Sequence, residues 1–130
     1  MKQLAFGILL MSLFAACSNN LERQIEGKWQ LKTVSEGDKV TVVDTVYYNF
    51  QNALFMYQIA NGAPGTDASR YGYKTEQNDG KELLLELEDQ KFVEDRTDWT
   101  ELNTLFTVES VSNSKLTLKT NGKTYQFNKF

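Results

Sequence analysis

From residue 28 onward the chain repeats one pattern, in which short stretches of alternating apolar and polar side chains are separated by turn signals. In Lys115–Thr120, Leu116 and Leu118 share one parity, while Lys115, Thr117 and Lys119 share the other, as in a strand with one dry and one wet face. Asn121-Gly122 follows directly, and this dipeptide is typical of a two-residue hairpin. The pattern predicts an all-β fold, since no stretch is long enough for the helical crossover that parallel strands require.

Eight such stretches predict eight antiparallel strands joined by short turns. They cover residues 28–34, 40–50, 54–59, 70–77, 83–87, 104–111, 115–120 and 123–130. An open sheet of this size would leave its apolar face uncovered, whereas closure into a barrel buries that face and removes both edges. Residues 60–69 and 89–103 form the longer connections, the second with a short helical turn and with Phe92 and Trp99 as apolar anchors. We therefore predict a small eight-stranded antiparallel up-and-down barrel.

The N-terminus has the three regions of an export signal. Lys2 is followed by an apolar run over residues 4–16, which is too short for the roughly 20 residues of a membrane span. Phe14-Ala15-Ala16-Cys17 resembles a bacterial lipobox, and this resemblance implies that Cys17 becomes the acylated first residue of the mature chain. An ordinary signal peptide with a chance cysteine is the alternative. The predicted organisation is a signal peptide (1–16), a lipidated cysteine with a polar tether (17–24) and a barrel domain (25–130).

The lipobox resemblance also implies a location and a partner. Two or more acyl chains anchor a protein stably to a membrane, so the expected location is the bacterial outer membrane, on its periplasmic face or at the cell surface. The spacer Ser18-Asn19-Asn20 carries no acidic cluster, which favours the periplasmic face.

Composition excludes several classes of function. The chain contains no His and a single Cys, so Ser-His-Asp triads, Cys-His pairs and zinc sites with His or Cys ligands are excluded, as is an internal disulfide. The net charge of −3 comes without a basic stripe, which argues against nucleic-acid binding. We expect a protein that is not an enzyme and that has no cofactor and no metal site.

A glycine and a tryptophan open the first strand, after a helical turn over residues 21–25. Gly27 gives the backbone room to turn, and Trp29 is large enough to close one end of a small barrel. With the lipobox and the strand meander, Gly27-x-Trp29 resembles the lipocalin-like lipoproteins of Bacteroides-type bacteria, members of the calycin group. Lipocalins carry a late Arg that packs across this Trp. Here no Arg follows Arg96, which leaves three lysines as substitutes: Lys119, Lys123 and Lys129.

The resemblance implies that a small, partly apolar ligand binds in the barrel. Candidate contacts are aromatic residues on predicted strands, together with an acid and a base: Tyr48, Phe50, Phe55, Tyr57, Tyr71, Tyr73, Asp44 and Arg70. Core packing is the alternative for the aromatic residues. For Asp44 the alternative is a bulge that turns it to solvent, and Asp44-Thr45-Val46 also resembles a glycosylation site of exported proteins from such bacteria.

Two other interpretations remain. The acidic residues Glu94, Asp95, Asp98 and Glu101 supply oxygen ligands that calcium would accept, but the EF-hand pattern is absent and a solvated acidic loop is the favoured interpretation. The second interpretation concerns the whole protein, which would be a filled-barrel scaffold that engages another envelope protein. A ligand-binding barrel predicts an internal cavity. A scaffold predicts a packed interior and an exposed apolar patch near residues 60–69 or 89–103.

Overall fold

The structure is a computed structural model that describes residues 21–60 and 67–130. The signal peptide, Cys17, the start of the tether and most of the 60–69 connection lie outside the described residues. The elements, in chain order, are α1 (Leu21–Ile25), β1 (Gly27–Glu36), β2 (Lys39–Val42), β3 (Val46–Gln51), β4 (Leu54–Ile59), β5 (Ala68–Gln77), β6 (Glu82–Leu87), α2 (Gln90–Arg96), β7 (Asn103–Val111), β8 (Lys115–Thr120) and β9 (Lys123–Lys129).

Eight of the strands close into the predicted antiparallel barrel. The pairing runs β1-β3-β4-β5-β6-β7-β8-β9, and β9 pairs back onto β1. All neighbouring strands of the barrel are antiparallel, and the β1–β9 pairing gives every one of these strands a hydrogen-bonded partner on both sides. None of the helices in residues 21–60 and 67–130 has the length and hydrophobicity to cross a membrane.

The predicted strand over residues 40–50 is wrong as a single element. β1 pairs with β2 through Thr33–Glu36 and with β3 through Gly27–Gln30, so the chain crosses from one partner segment to the other at residues 43–45. All four β2 residues are exposed, which leaves β2 as a hairpin arm beside the barrel. Asp44 lies in this break and is exposed, as the alternative of a local irregularity predicts.

The barrel has two unlike ends. The basal end carries α1 and the turns at residues 52–53, 78–81 and 112–114, whereas the mouth carries residues 37–38, 43–45, 88–102 and 121–122. At the basal end Trp29 is fully buried, and its Nε1 donates a hydrogen bond to the main-chain oxygen of Ile25 at 2.7 Å. Because Leu21 and Ile25 are also buried, α1 closes this end.

Candidate binding site at the mouth

The mouth is covered by α2 and by the segment that follows it. The Asp89 carboxylate caps α2 by accepting a hydrogen bond from the Phe92 amide at 3.0 Å, and the helix buries Phe92 and Val93. Thr97 Oγ1 then donates to the Val93 main-chain oxygen and accepts from the Trp99 amide, at 2.8 and 3.1 Å. These bonds turn the chain so that Trp99 enters the barrel. The short helix and the two apolar anchors predicted for this connection are confirmed.

Trp99 fills the upper interior. Its ring stacks on Phe55 at a centroid distance of 5.9 Å and an interplanar angle of 8°, and its Nε1 donates to the Tyr48 hydroxyl at 3.0 Å. Tyr57 and Phe106 meet the indole from other strands, at 5.8 and 6.1 Å. The space in which a ligand was expected is therefore occupied by the protein's own aromatic rings.

Four of the predicted ligand contacts share this interior. Tyr48, Phe50, Phe55 and Tyr57 are at most 2% exposed, and Tyr48 touches each of the other three rings. Burial raises the pKa of the Tyr48 hydroxyl well above its usual value, and that of Tyr57 in the same direction. They form a core cluster that is closed to solvent.

The other two predicted tyrosines lie on the outside, so their assignment to the interior is wrong. Tyr71 and Tyr73 are 69% and 49% exposed. Gly72 and Lys74 occupy the inner positions of β5, with Gly72 opposite Phe55. A Cβ on Gly72 would lie 1.8 Å from the main-chain oxygen of Glu86, so this inner position admits no side chain. Because Gly72 and Lys74 point inward, Tyr71 and Tyr73, which alternate with them along β5, point outward.

The two charged residues assigned to the ligand also lie outside the interior. Arg70 is exposed, its Nε bonds the Asp89 carboxylate at 2.8 Å, and its guanidinium lies 4.8 Å from the centroid of the Phe92 ring. Its hydrogen bond holds the pKa of the Asp89 carboxyl below the usual value. Asp44 is exposed, and its main-chain oxygen accepts from Gln30 Nε2 at 2.8 Å. Arg70 therefore holds the start of α2 against the barrel and does not reach a ligand site in the interior.

A cleft of about 690 Å³ remains at the mouth beside the Trp99 segment. Its walls combine apolar and polar side chains, among them Leu84, Asp98, Trp99, Glu101, Leu105, Asn121, Lys123 and Tyr125. Tyr125 Oη donates to the Asp98 carboxylate, and Lys123 Nζ lies 3.9 Å from the same oxygen. Burial first, and the Asp98 bond second, raise the pKa of Tyr125. We call the cleft lined by these residues the mouth cleft.

Sequence reasoning missed most of the mouth cleft. The sequence marks Trp99 as an apolar anchor of this connection, but nothing in the alternation links it to Lys123 or Tyr125. The acidic residues considered for calcium are spread out: Glu94 bonds Gln90, Asp95 pairs with Lys91, and Asp98 meets Tyr125. Among residues 21–60 and 67–130 no three potential metal ligands converge, so the calcium alternative has no assembled site there.

A closed eight-stranded up-and-down barrel is the architecture of the lipocalins. The chain belongs to the lipocalin-like domain family, whose sequence model matches residues 10–130. The predicted resemblance is thus confirmed at the level of the family.

Two solved structures share this fold. A lipocalin-like protein from Bacteroides uniformis is 28% identical with a TM-score of 0.72, and the match covers 82% of this chain and 99% of that one. An uncharacterized protein from Bacteroides eggerthii is 24% identical with a TM-score of 0.70 and the same coverage. No curated protein gives a significant match.

Proposed function

We propose that this protein is a lipid-anchored, non-enzymatic binding protein of the bacterial envelope that holds a small, partly apolar molecule in the mouth cleft. The mixed lining of this cleft carries the proposal: leucines, one charge of each sign and an amide surround a volume of about 690 Å³, which is in the range of small-molecule sites. The filled interior supports the shift from a ligand inside the barrel to a ligand at its entrance.

The walls of the cleft suggest how such a molecule would be held. Leu84 and Leu105 offer apolar surface, and Leu105 is 44% exposed. Asp98 and Lys123 offer one charge of each sign, and Asn121 offers an amide. A ligand with an apolar body and a small polar or zwitterionic head matches this division.

The anchor rests on the N-terminal sequence. The lipobox-like residues before Cys17 support acylation of its sulfur and its amino group, and acyl chains in pairs hold a protein stably on a bilayer. The outer membrane, with the barrel on the periplasmic face, remains our expectation. The absence of His and of a second Cys from the sequence supports a binding role over catalysis.

Native mass spectrometry of the protein released from its own envelope tests the proposal. We expect a co-purified small molecule that is lost in Asp98→Asn and retained in Asp95→Asn, because Asp95 pairs with Lys91 on α2 away from the cleft wall. Equal retention in both variants would contradict a site at the mouth.

A second candidate follows from the filled interior. A barrel whose core leaves no buried side-chain polar atom unpaired in the described residues is also suited to serve as a rigid interaction scaffold. In that case the released protein carries no small molecule and cross-links reproducibly to one envelope protein. The same preparation therefore separates the two candidates.

A further inference from the structure

We infer that the outer face of β4 and β5, next to the basal end, lies against the lipid bilayer. This inference rests on the proposed anchoring through Cys17 and adds the orientation of the barrel. The surface consists of Leu54, Met56, Tyr71 and Tyr73, which we call the β4–β5 patch.

The β4–β5 patch is contiguous. Leu54 faces Tyr73 and Met56 faces Tyr71 in the strand register, so the four side chains form two adjacent cross-strand pairs on the outer face. Leu54, Tyr71 and Tyr73 are 47%, 69% and 49% exposed. A cluster of large apolar side chains on the outside of a soluble fold marks an interaction surface.

The surroundings of the patch favour lipid over a protein strand. β4 is paired with β3 and β5, and β5 is paired with β4 and β6, so no main-chain edge is open for strand addition. What remains is side-chain surface alone. Tyr is enriched at the membrane–water interface, where the ring is buried and the hydroxyl stays hydrated.

The position of the anchor agrees with this face. A groove of about 410 Å³ on the outer surface is lined by Leu54, Met56 and Tyr71 together with Glu26, Gly27 and Lys28, which follow α1 directly. Cys17 precedes Leu21 by four residues, which span at most about 14 Å when extended. This reach is short enough for the proposed acyl chains to enter the bilayer beside the patch.

Charge supports the same orientation. Lys28 lies at the rim of the groove, with its Nζ 4.5 and 4.6 Å from the ring centroids of Tyr47 and Phe130. A lysine in this position can meet lipid phosphate. The acidic connection over residues 88–101 lies at the mouth, at the other end of the barrel from the patch, and is therefore kept at a distance from an anionic surface.

Depth-dependent quenching tests the inference on the acylated mature protein, which begins at Cys17, reconstituted in vesicles of phosphatidylethanolamine and phosphatidylglycerol. One variant, Tyr71→Trp, adds an indole in the β4–β5 patch, and Leu54→Trp is a second reporter. The control Gln126→Trp adds one on the exposed outer side of β9, across the barrel. The native indoles, Trp29 and Trp99, are 0% and 6% exposed and give a constant background.

With bromine-labelled phospholipid we expect roughly half of the emission of the added indole to be lost in Tyr71→Trp and Leu54→Trp, because interfacial aromatic side chains lie at headgroup depth. Emission from Gln126→Trp should be unaffected. Equal quenching at all three positions, or none at any, on a chain whose mass shows the acyl groups overturns the inference and leaves the anchor intact. A mass without acyl groups overturns both the orientation and the proposed anchor. If the added indoles of the patch become shielded from solvent in the absence of vesicles as the protein concentration rises, the patch is instead a contact between two copies of the chain, which also overturns the inference.

Discussion

The Lys129 ammonium lies 4.6 Å from the centroid of the Trp29 ring and donates a hydrogen bond to the main-chain oxygen of Glu26. Trp29 and Lys129 face each other in the register of β1 and β9, the strand pair that closes the barrel. Lys119 and Lys123 lie toward the mouth, where they pair with Glu109 and Asp98. Lys129 thus takes the position in which the lipocalin resemblance places an Arg.

Replacement of Lys129 by Ala should lower the free energy of unfolding by about 1 kcal/mol, the usual size of a cation–π contact at a partly exposed site. Lys129→Arg should keep most of this stability, since a guanidinium also stacks on an indole. Urea denaturation measures both. Lys115→Ala is the matched control, because the Lys115 ammonium bonds the half-buried Asn128 side chain across β8 and β9. A loss as large in the control would contradict a specific role of the Trp29 contact.

Replacement of Trp99 by Ala should destabilise the fold by about 3–5 kcal/mol, the usual cost of removing a large buried aromatic side chain. It should also leave an apolar void between Tyr48, Phe55, Tyr57 and Phe106, in which a small hydrocarbon binds. Thermal unfolding with and without benzene measures both effects.

Trp99→Phe is the control for the void. It keeps most of the ring volume and loses the bond to the Tyr48 hydroxyl, so it should cost about 1–2 kcal/mol and gain no benzene response. If Trp99→Ala is as stable as the wild type, the indole does not hold the mouth closed and the proposed filling of the interior is wrong.

Alternation in the sequence was sufficient to predict the barrel, because side-chain parity reports directly which face of a strand is buried. It failed on β5. There the inner positions hold Gly72, which carries no hydropathy signal, and Lys74, which reads as polar although it is 4% exposed. Tyr71 and Tyr73, on the other parity, are the larger and more apolar side chains, so alternation alone places them inward. The orientation of β5 depends on the close backbone contact at Gly72 and on the burial of the Lys74 ammonium, and neither leaves a periodic pattern.

The break near Asp44 and the filling of the mouth depend on distant partners. The stretch 40–50 is rich in β-branched and aromatic residues on both sides of Asp44, yet its two halves pair with different parts of β1. Trp99 was recognised as an anchor, but its direction follows from contacts with Tyr48, which lies 51 residues away in the chain. Contacts between residues that are distant in the sequence thus determine the candidate site, whereas the barrel fold follows from local side-chain alternation.

Gly72→Ala should be strongly destabilising. The new Cβ would lie 1.8 Å from the Glu86 main-chain oxygen, and backbone on both paired strands must move to relieve this contact. We expect a loss of about 3 kcal/mol, the upper end for overpacking, in equilibrium unfolding. Ser69→Ala, at an exposed position of the same strand, should change stability by less than about 0.5 kcal/mol. A mild effect of Gly72→Ala would show that β5 and β6 lie farther apart than described.

The ion pair inside the barrel offers another test. The Lys74 ammonium is buried and bonds the Glu76 carboxylate, whose side chain is 26% exposed. Glu76→Gln leaves this ammonium without its counter-charge and should cost about 2 kcal/mol, below the range for a fully buried pair because water reaches Glu76. The double variant Lys74→Met, Glu76→Leu should recover this loss. Chemical denaturation of the three proteins, with Glu86→Gln as the outer-face control, measures the coupling, and an equally unstable double variant would contradict it.

Alkaline pH should unfold the protein through its buried tyrosines. Burial raises the pKa of Tyr48, Tyr57 and Tyr125 in the folded state, whereas in the unfolded chain a tyrosine titrates near a pKa of about 10. A raised folded pKa means that this contribution to stability is fully present below pH ~10 and declines as the pH rises above it, by up to about 1.4 kcal/mol per pH unit for each such tyrosine. Urea denaturation across this range, with tyrosinate absorbance as a second readout, should show ionisation coinciding with unfolding.

Tyr57→Phe should make the decline of stability with pH shallower. Phe55→Leu loosens the same cluster without removing a hydroxyl, so it should leave the slope of this decline unchanged. Equal slopes in the wild type and Tyr57→Phe would show that the Tyr57 hydroxyl does not contribute to the pH dependence.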